Sequence, residues 1–229
     1  MQEDVFYAMK KHTLVFDFDG TIADTFHYTL QLSNRLSHEF NFNTIEPHEI
    51  AFLKDKTSRE IISYLRVPIL KIPQIVARAK KELNQEIASI NPIEGLKEIL
   101  HDLKSLNHTM GILTSNSLEN VTKFLNNHSL NLFDFIEASS SIWKKNRGLG
   151  VLMKNKGLIP EDILYIGDET RDIVAAQKAG VRIAAVTWGY NSSNALKAHN
   201  PDYLVNNPFE LFDYVRSLTT HNVEGLTPK

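Results

Sequence analysis

The chain has 229 residues, 42% of them hydrophobic and 23% charged, with 25 Lys and Arg against 27 Asp and Glu. This size and balance fit one medium globular domain, or one carrying a smaller insert, with a sizeable buried core. A net charge of −2 gives no sign of a nucleic-acid footprint or a membrane-attracting patch. The absence of Cys excludes disulfides, thiolate nucleophiles and zinc–thiolate centres.

Taken in order, residues 1–12 read as a polar terminal arm without the apolar core of a signal peptide. A strand is expected at about 13–18, and its core has no polar face, as in a parallel sheet covered on both sides. From 23 to about 90 the texture becomes helical. Apolar residues recur at helical spacing over 25–40, 58–65 and 73–87, the last with a Lys/Glu-rich outer face. No strand signal interrupts this stretch, so it reads as an inserted helical cap. Strand–helix alternation resumes at 91, with strands expected at 110–114, 135–138, 163–167, 181–186 and 203–205. Helices are expected over 96–103, 117–125, 147–156, 172–179 and 209–218, and 220–229 reads as a terminal arm. The pattern predicts an α/β, doubly wound, Rossmann-like parallel sheet at 13–22 plus 91–219, with the helical cap at 23–90. No apolar run approaches the ~20 residues of a spanning helix, and a cytoplasmic location is expected.

Four stretches carry chemistry. The first is Asp17-Phe18-Asp19-Gly20-Thr21, at the end of the first strand. Alternation along a strand puts Asp17 and Asp19 on one side, at the carboxyl edge where open α/β sheets keep their ligands. Carboxylates so close repel unless a cation or proton shares the site, and oxygen-only ligands favour Mg²⁺. The bland reading is two solvated Asp before a turn. The second is Thr114-Ser115-Asn116, whose hydroxyls and amides suit phosphate oxygens but equally suit capping of the next helix. The third is Lys144-Lys145, a point-charge phosphate binder or a solvated surface pair. The fourth is Gly167-Asp168-Glu169-Thr170-Arg171-Asp172, where both acids face the mouth of the sheet if a helix starts near Thr170. Asp172 could instead be a dipole partner in a first helical turn. The nine His are scattered, with no metal-binding spacing.

In this order, and each at or after a strand's carboxyl end, the four stretches resemble the haloacid dehalogenase-like hydrolase superfamily, in its phosphatase branch. The resemblance spans about residues 13–205 and is nearest to the phosphoglycolate phosphatase-like subgroup with a helical cap. It implies that Asp17 is the nucleophile and Asp19 the general acid and base. It implies phosphate binding by Thr114, Ser115 and Lys145, with Thr21 supporting the turn or binding phosphate. It also implies Mg²⁺ held by Asp17, the backbone carbonyl of Asp19, Asp168 and Asp172. Lys145 fits the family spacing to Gly157-Leu158 better than Lys144 does. The family often has Asp-Ser shortly after the first motif, where this chain has Ala23-Asp24-Thr25. Lys54, Lys56 and Arg59 fall in the cap's specificity loop, either on substrate or as surface charges.

The implied activity is Mg²⁺-dependent hydrolysis of a small-molecule phosphate ester by a monomer or homodimer, with no nucleic-acid or membrane partner. A dehalogenase of the same fold needs neither Asp19 nor a metal. A sugar phosphomutase differs mainly in the cap. A non-catalytic binding protein would not need every chemical position intact, and a receiver domain would lack the helical insert.

Overall fold

The computed structural model describes residues 11–138 and 145–220. Six strands form one parallel sheet in the order β3-β2-β1-β4-β5-β6. They are β1 (Thr13–Phe16), β2 (Thr109–Thr114), β3 (Phe135–Ala138), β4 (Ile163–Gly167), β5 (Arg182–Val186) and β6 (Tyr203–Val205). The order reverses at β1, so the crevice at its carboxyl end is where such sheets bind ligands. Register is continuous across the centre: Phe16 pairs with Ile112 on one side and Ile166 on the other. All of β1 and β4 is buried, whereas the edge strand β3 is not. This is why the central strands are uninterrupted apolar runs.

Helices cover both faces, and residue parity sorts the core between them. Leu14, Phe16 and Phe18 pack with α5 (Leu96–Ser105), α6 (Leu118–Asn127) and α10 (Pro208–Thr220). Val15, Leu113 and Tyr165 pack with α7 (Lys145–Lys156), α8 (Thr170–Ala179) and α9 (Ser193–Ala198). Phe18 meets Phe124 edge-on at 5.1 Å, extending the first layer past the strand end.

Between β1 and α5 the chain runs through α1 (Phe26–Phe40), α2 (Ile50–Lys54), α3 (Ser58–Tyr64) and α4 (Ile72–Glu86). The two chain segments joining this insert to the sheet lie side by side. Ala23 bridges to Pro92, the Asp24 amide donates to the Asn91 carbonyl at 2.9 Å, and the Ile93 amide donates to Ile22 at 2.9 Å. Inside the insert, Arg78 of α4 pairs with Glu39 of α1, and Arg35 of α1 with Glu82 of α4. The Thr57 and Glu60 capping box starts α3. Among the described residues, no helix is long and apolar enough to cross a membrane.

Several boundaries differ from the sequence reading. The first strand stops at Phe16, not 18. The Asp17 amide still donates to the Ile166 carbonyl, but the chain then turns through Gly20 at a φ of 76°. Helix α8 begins at Thr170 because Glu169 and Asp172 form a reciprocal cap. Helices α2 and α9, of five and six residues, are too short to show a period in sequence.

A buried pair of histidines joins the starts of β1 and β2. The His108 Nδ1 lies 3.3 Å from the His12 amide nitrogen and 3.2 Å from its carbonyl oxygen, and both residues are buried. Burial pushes the His108 pKa below its usual value, outweighing the bond to the His12 carbonyl. A depressed folded pKa means the unfolded chain takes up the proton first as pH falls. This contribution to stability is therefore complete above the unfolded pKa of about 6.5 and is lost below it. Thermal denaturation between pH 7.5 and 5 should show a smaller fall in Tm for His108→Gln than for the parent. Equal falls would show that this pair does not carry the pH dependence.

Candidate active site

Parallel pairing of β1 with β4 brings the first and fourth stretches together. Asp17 leaves β1 beside Asp168, which leaves β4, and the first turn of α8 adds Asp172. One carboxylate oxygen from each lies within 4.8 Å of the others, and all three residues are buried. Two unit charges at that separation repel by about 3 kcal/mol at an effective dielectric of 20. Three such pairs together approach the whole stability of a domain, about 5–15 kcal/mol. A cation or protons must therefore share the site. Burial first, then Glu169, Asp17 and Asp172, raise the Asp168 pKa well above the usual carboxylate value.

Each acid is fixed by other groups. The Asp17 carboxylate accepts from the Phe18 amide at 2.8 Å. Asp168 accepts the Thr21 hydroxyl at 2.6 Å and the Tyr190 amide at 2.8 Å. Asp172 accepts the Glu169 amide at 3.1 Å. Three glycines leave the room these carboxylates occupy. A Cβ on Gly189 would stand 2.1 Å from an Asp168 oxygen, one on Gly20 2.4 Å from it, and one on Gly167 2.5 Å from an Asp172 oxygen. The all-oxygen donor set, its burial and this tight cradle fit a hard divalent cation.

Asp19 stands apart from this cluster and faces a cavity of about 420 Å³ between the sheet edge and the helical insert. The Asn116 side-chain amide donates to both its oxygens, at 3.1 and 3.0 Å. Burial first, and then the charge of Asp17, push its pKa up to about 6, against the hydrogen bonds of Asn116 and Thr25. A carboxyl so tuned is suited to holding and releasing a proton near neutrality.

The remaining expected residues fall in different places. Ser115 lines the cavity. Thr114 is buried, its hydroxyl accepting the Asn116 amide at 2.9 Å. Thr21 is fully buried with its hydroxyl donated to Asp168, so its side chain orients that carboxylate and does not reach into the cavity. Lys145 opens α7; its side chain, and Lys144, lie outside the described residues. Lys54 and Lys56 line the cavity, each with its ammonium 4.5 Å from a ring centroid, Phe26 and Phe52 respectively. Arg59 is exposed and does not line the cavity.

Sequence reasoning missed the loop Trp188-Gly189-Tyr190-Asn191 after β5. Gly189 makes room for Asp168. The Tyr190 hydroxyl bonds Thr29 at 2.7 Å and Thr25 at 3.1 Å, tying the sheet edge to α1. The Asn191 side chain donates to the Lys54 and Lys56 carbonyls at 2.9 and 3.0 Å. Its place after a central parallel strand was the available signal.

Residues 14–186 match the family model described as haloacid dehalogenase-like hydrolase. The chain belongs to the haloacid dehalogenase-like hydrolases. It is 32% identical over 206 residues to the phosphoglycolate phosphatase of Synechococcus elongatus, covering 90% of this chain and 97% of that protein. It is 26% identical over 212 residues to the pyrophosphatase PpaX of Bacillus mycoides, covering 89% and 96%. In fold it is similar to a solved structure described as a predicted phosphatase from Clostridium acetobutylicum, with a TM-score of 0.79 at 19% identity over 92% of this chain and all of that one. The chain is thus an enzyme, a phosphatase of the haloacid dehalogenase type.

The glycine cradle can be tested. In Gly189→Ala the added methyl must displace Asp168, so the divalent-metal concentration for half-maximal phosphate release should rise at least tenfold, with far-UV circular dichroism unchanged. An unchanged metal requirement would show that the Asp168 position does not matter.

Proposed function

We propose that this hydrolase is a Mg²⁺-dependent phosphatase of a small phosphorylated metabolite, phosphoglycolate-like or a sugar phosphate, working through an aspartyl-phosphate. The convergence of Asp17, Asp168 and Asp172 beside the cavity that holds Asp19 carries this reading. Asp17, the Asp19 carbonyl, Asp168 and Asp172 would hold Mg²⁺, which when bound neutralises phosphate charge beside the carboxylates.

The protein's own groups supply the rest. A carboxylate oxygen of Asp17 attacks phosphorus as the ester P–O bond breaks. Asp19 gives its proton to the departing oxygen. Water then attacks the phosphorus of the aspartyl-phosphate, Asp19 takes its proton, and inorganic phosphate and free Asp17 result. Asn116 keeps Asp19 on the leaving-group side through the whole cycle. Thr114, Ser115 and Lys145 are assigned the non-bridging oxygens, on the strength of their match to the family motifs. The helical insert acts as the cap that closes this reaction from water. Release of inorganic phosphate, against an isomerised sugar phosphate, separates this reading from a mutase, and Asp19 has no task in dehalogenation.

Asp17→Asn should lower phosphate release from an aryl phosphate at least 10³-fold, and turnover near the parent level would remove Asp17 as nucleophile. Chelation should abolish release and Mg²⁺ restore it. Asp19→Asn should slow an alkyl ester far more than an aryl ester, whose leaving group needs no proton. An equal loss on both would remove the leaving-group acid role.

A further inference from the structure

Helix α4 turns Val76, Ala79, Lys80 and Leu83 toward the cavity, at the i, i+3, i+4, i+7 spacing of a single helical face. Three of the four are apolar. Lys80 breaks the stripe, although the sequence pattern had placed the lysines of this helix on its outer face, where the exposed Lys81 does lie. A half-buried ammonium among aliphatic side chains is costly unless an anion meets it.

The other cations of the cavity wall are engaged. Lys54 and Lys56 lie over aromatic rings, and Arg171 donates to Glu169 at 2.8 Å. Among the described residues the Lys80 ammonium makes no hydrogen bond or ion pair, while its backbone is firmly held. The Lys80 carbonyl accepts from the Asn120 side chain at 3.2 Å. The same Asn120 amide donates to Asn116 at 2.9 Å, and Asn116 holds Asp19. Asn84, one turn further along α4, donates to Asn120 at 2.7 Å. Burial lowers the Lys80 pKa and the charge of Asp19 counters it, so the two groups share one electrostatic environment. A three-asparagine chain therefore sets the height of Lys80 relative to the acid that serves the leaving group.

We propose that Lys80 selects the substrate, its ammonium meeting an anionic substituent that the leaving group carries close to the ester oxygen. This rests on the Asp17 and Asp19 reading above, because only that reading puts the leaving group on the Asp19 side. Apolar walls strengthen such a pair by excluding water. They also reject a leaving group with neutral hydroxyls, for which they offer few hydrogen-bond partners. The chemical class is a phosphate ester of a short hydroxy acid, or another phosphorylated anion of that length.

The test compares phosphoglycolate with its neutral methyl ester under saturating Mg²⁺. The parent enzyme should prefer the acid at least tenfold in kcat/KM. Lys80→Met should reduce that ratio at least tenfold, mainly through KM for the acid, and Lys80→Arg should restore most of it. Lys80→Gln replaces Lys80→Met if the latter does not fold. A parent enzyme without the preference, or a ratio indifferent to residue 80, overturns the proposal while leaving the phosphatase reading intact. No phosphate release from either compound by the parent also overturns the proposal, and no release from an aryl phosphate or a sugar phosphate either overturns the phosphatase reading with it.

Discussion

Three buried carboxylates held within 4.8 Å of one another are the constraint around which the rest of this molecule is built. Their repulsion rivals the stability of the fold, and among the described residues the protein accepts it at the reversal of strand order at β1. There the ends of β1 and β4, the first turn of α8 and the loop after β5 can all reach one point. Each adds a restraint on the acids: the Phe18 and Glu169 amides, the Thr21 hydroxyl and the Tyr190 amide. Such preorganised charge is stable only when a cation or protons share the site.

Asp19 shows how two neighbouring acids come to separate surroundings. It lies two residues from Asp17 yet outside the cluster, because Gly20 turns the chain and Asn116 draws the carboxyl toward the cavity. Burial and the charge of Asp17 then raise its pKa, so a proton is available there while Asp17 is committed to the cluster. The helical insert shares in this arrangement. Asn120 connects α6 with α4, Tyr190 connects the β5 loop with α1, and Asn191 holds the segment after α2.

The loop after β5 has a double role that explains its composition. Gly189 leaves the space an Asp168 oxygen fills, Tyr190 holds that oxygen through its amide and the insert through its phenol, and Asn191 reaches the insert's backbone. The acid cluster and the insert are therefore coupled through three consecutive residues. Thr25 fits the same scheme, since its hydroxyl meets Tyr190 at the point where the chain enters the insert. The departure from the family's usual residues after the first motif thus falls at a working contact between the two parts.

The sequence alone determined the fold class, the alternation of elements and the central pairing of acids. Apolar strands, capped helices and the Asp-x-Asp-Gly-Thr run are local features, written by side chains within a few residues of each other. It misjudged where β1 ends, because neighbouring-strand pairing stops at Phe16 whatever the apolar run continues to do. It could not show α2 or α9, which are shorter than the period that reveals a helix. Only the tertiary structure decided that Thr21 serves Asp168, that Gly189 and Tyr190 belong to the site, and that Lys80 faces inward. These depend on groups brought together from 147 residues apart, as Thr21 and Asp168 are, and no local pattern records which face of a helix the rest of the chain will cover.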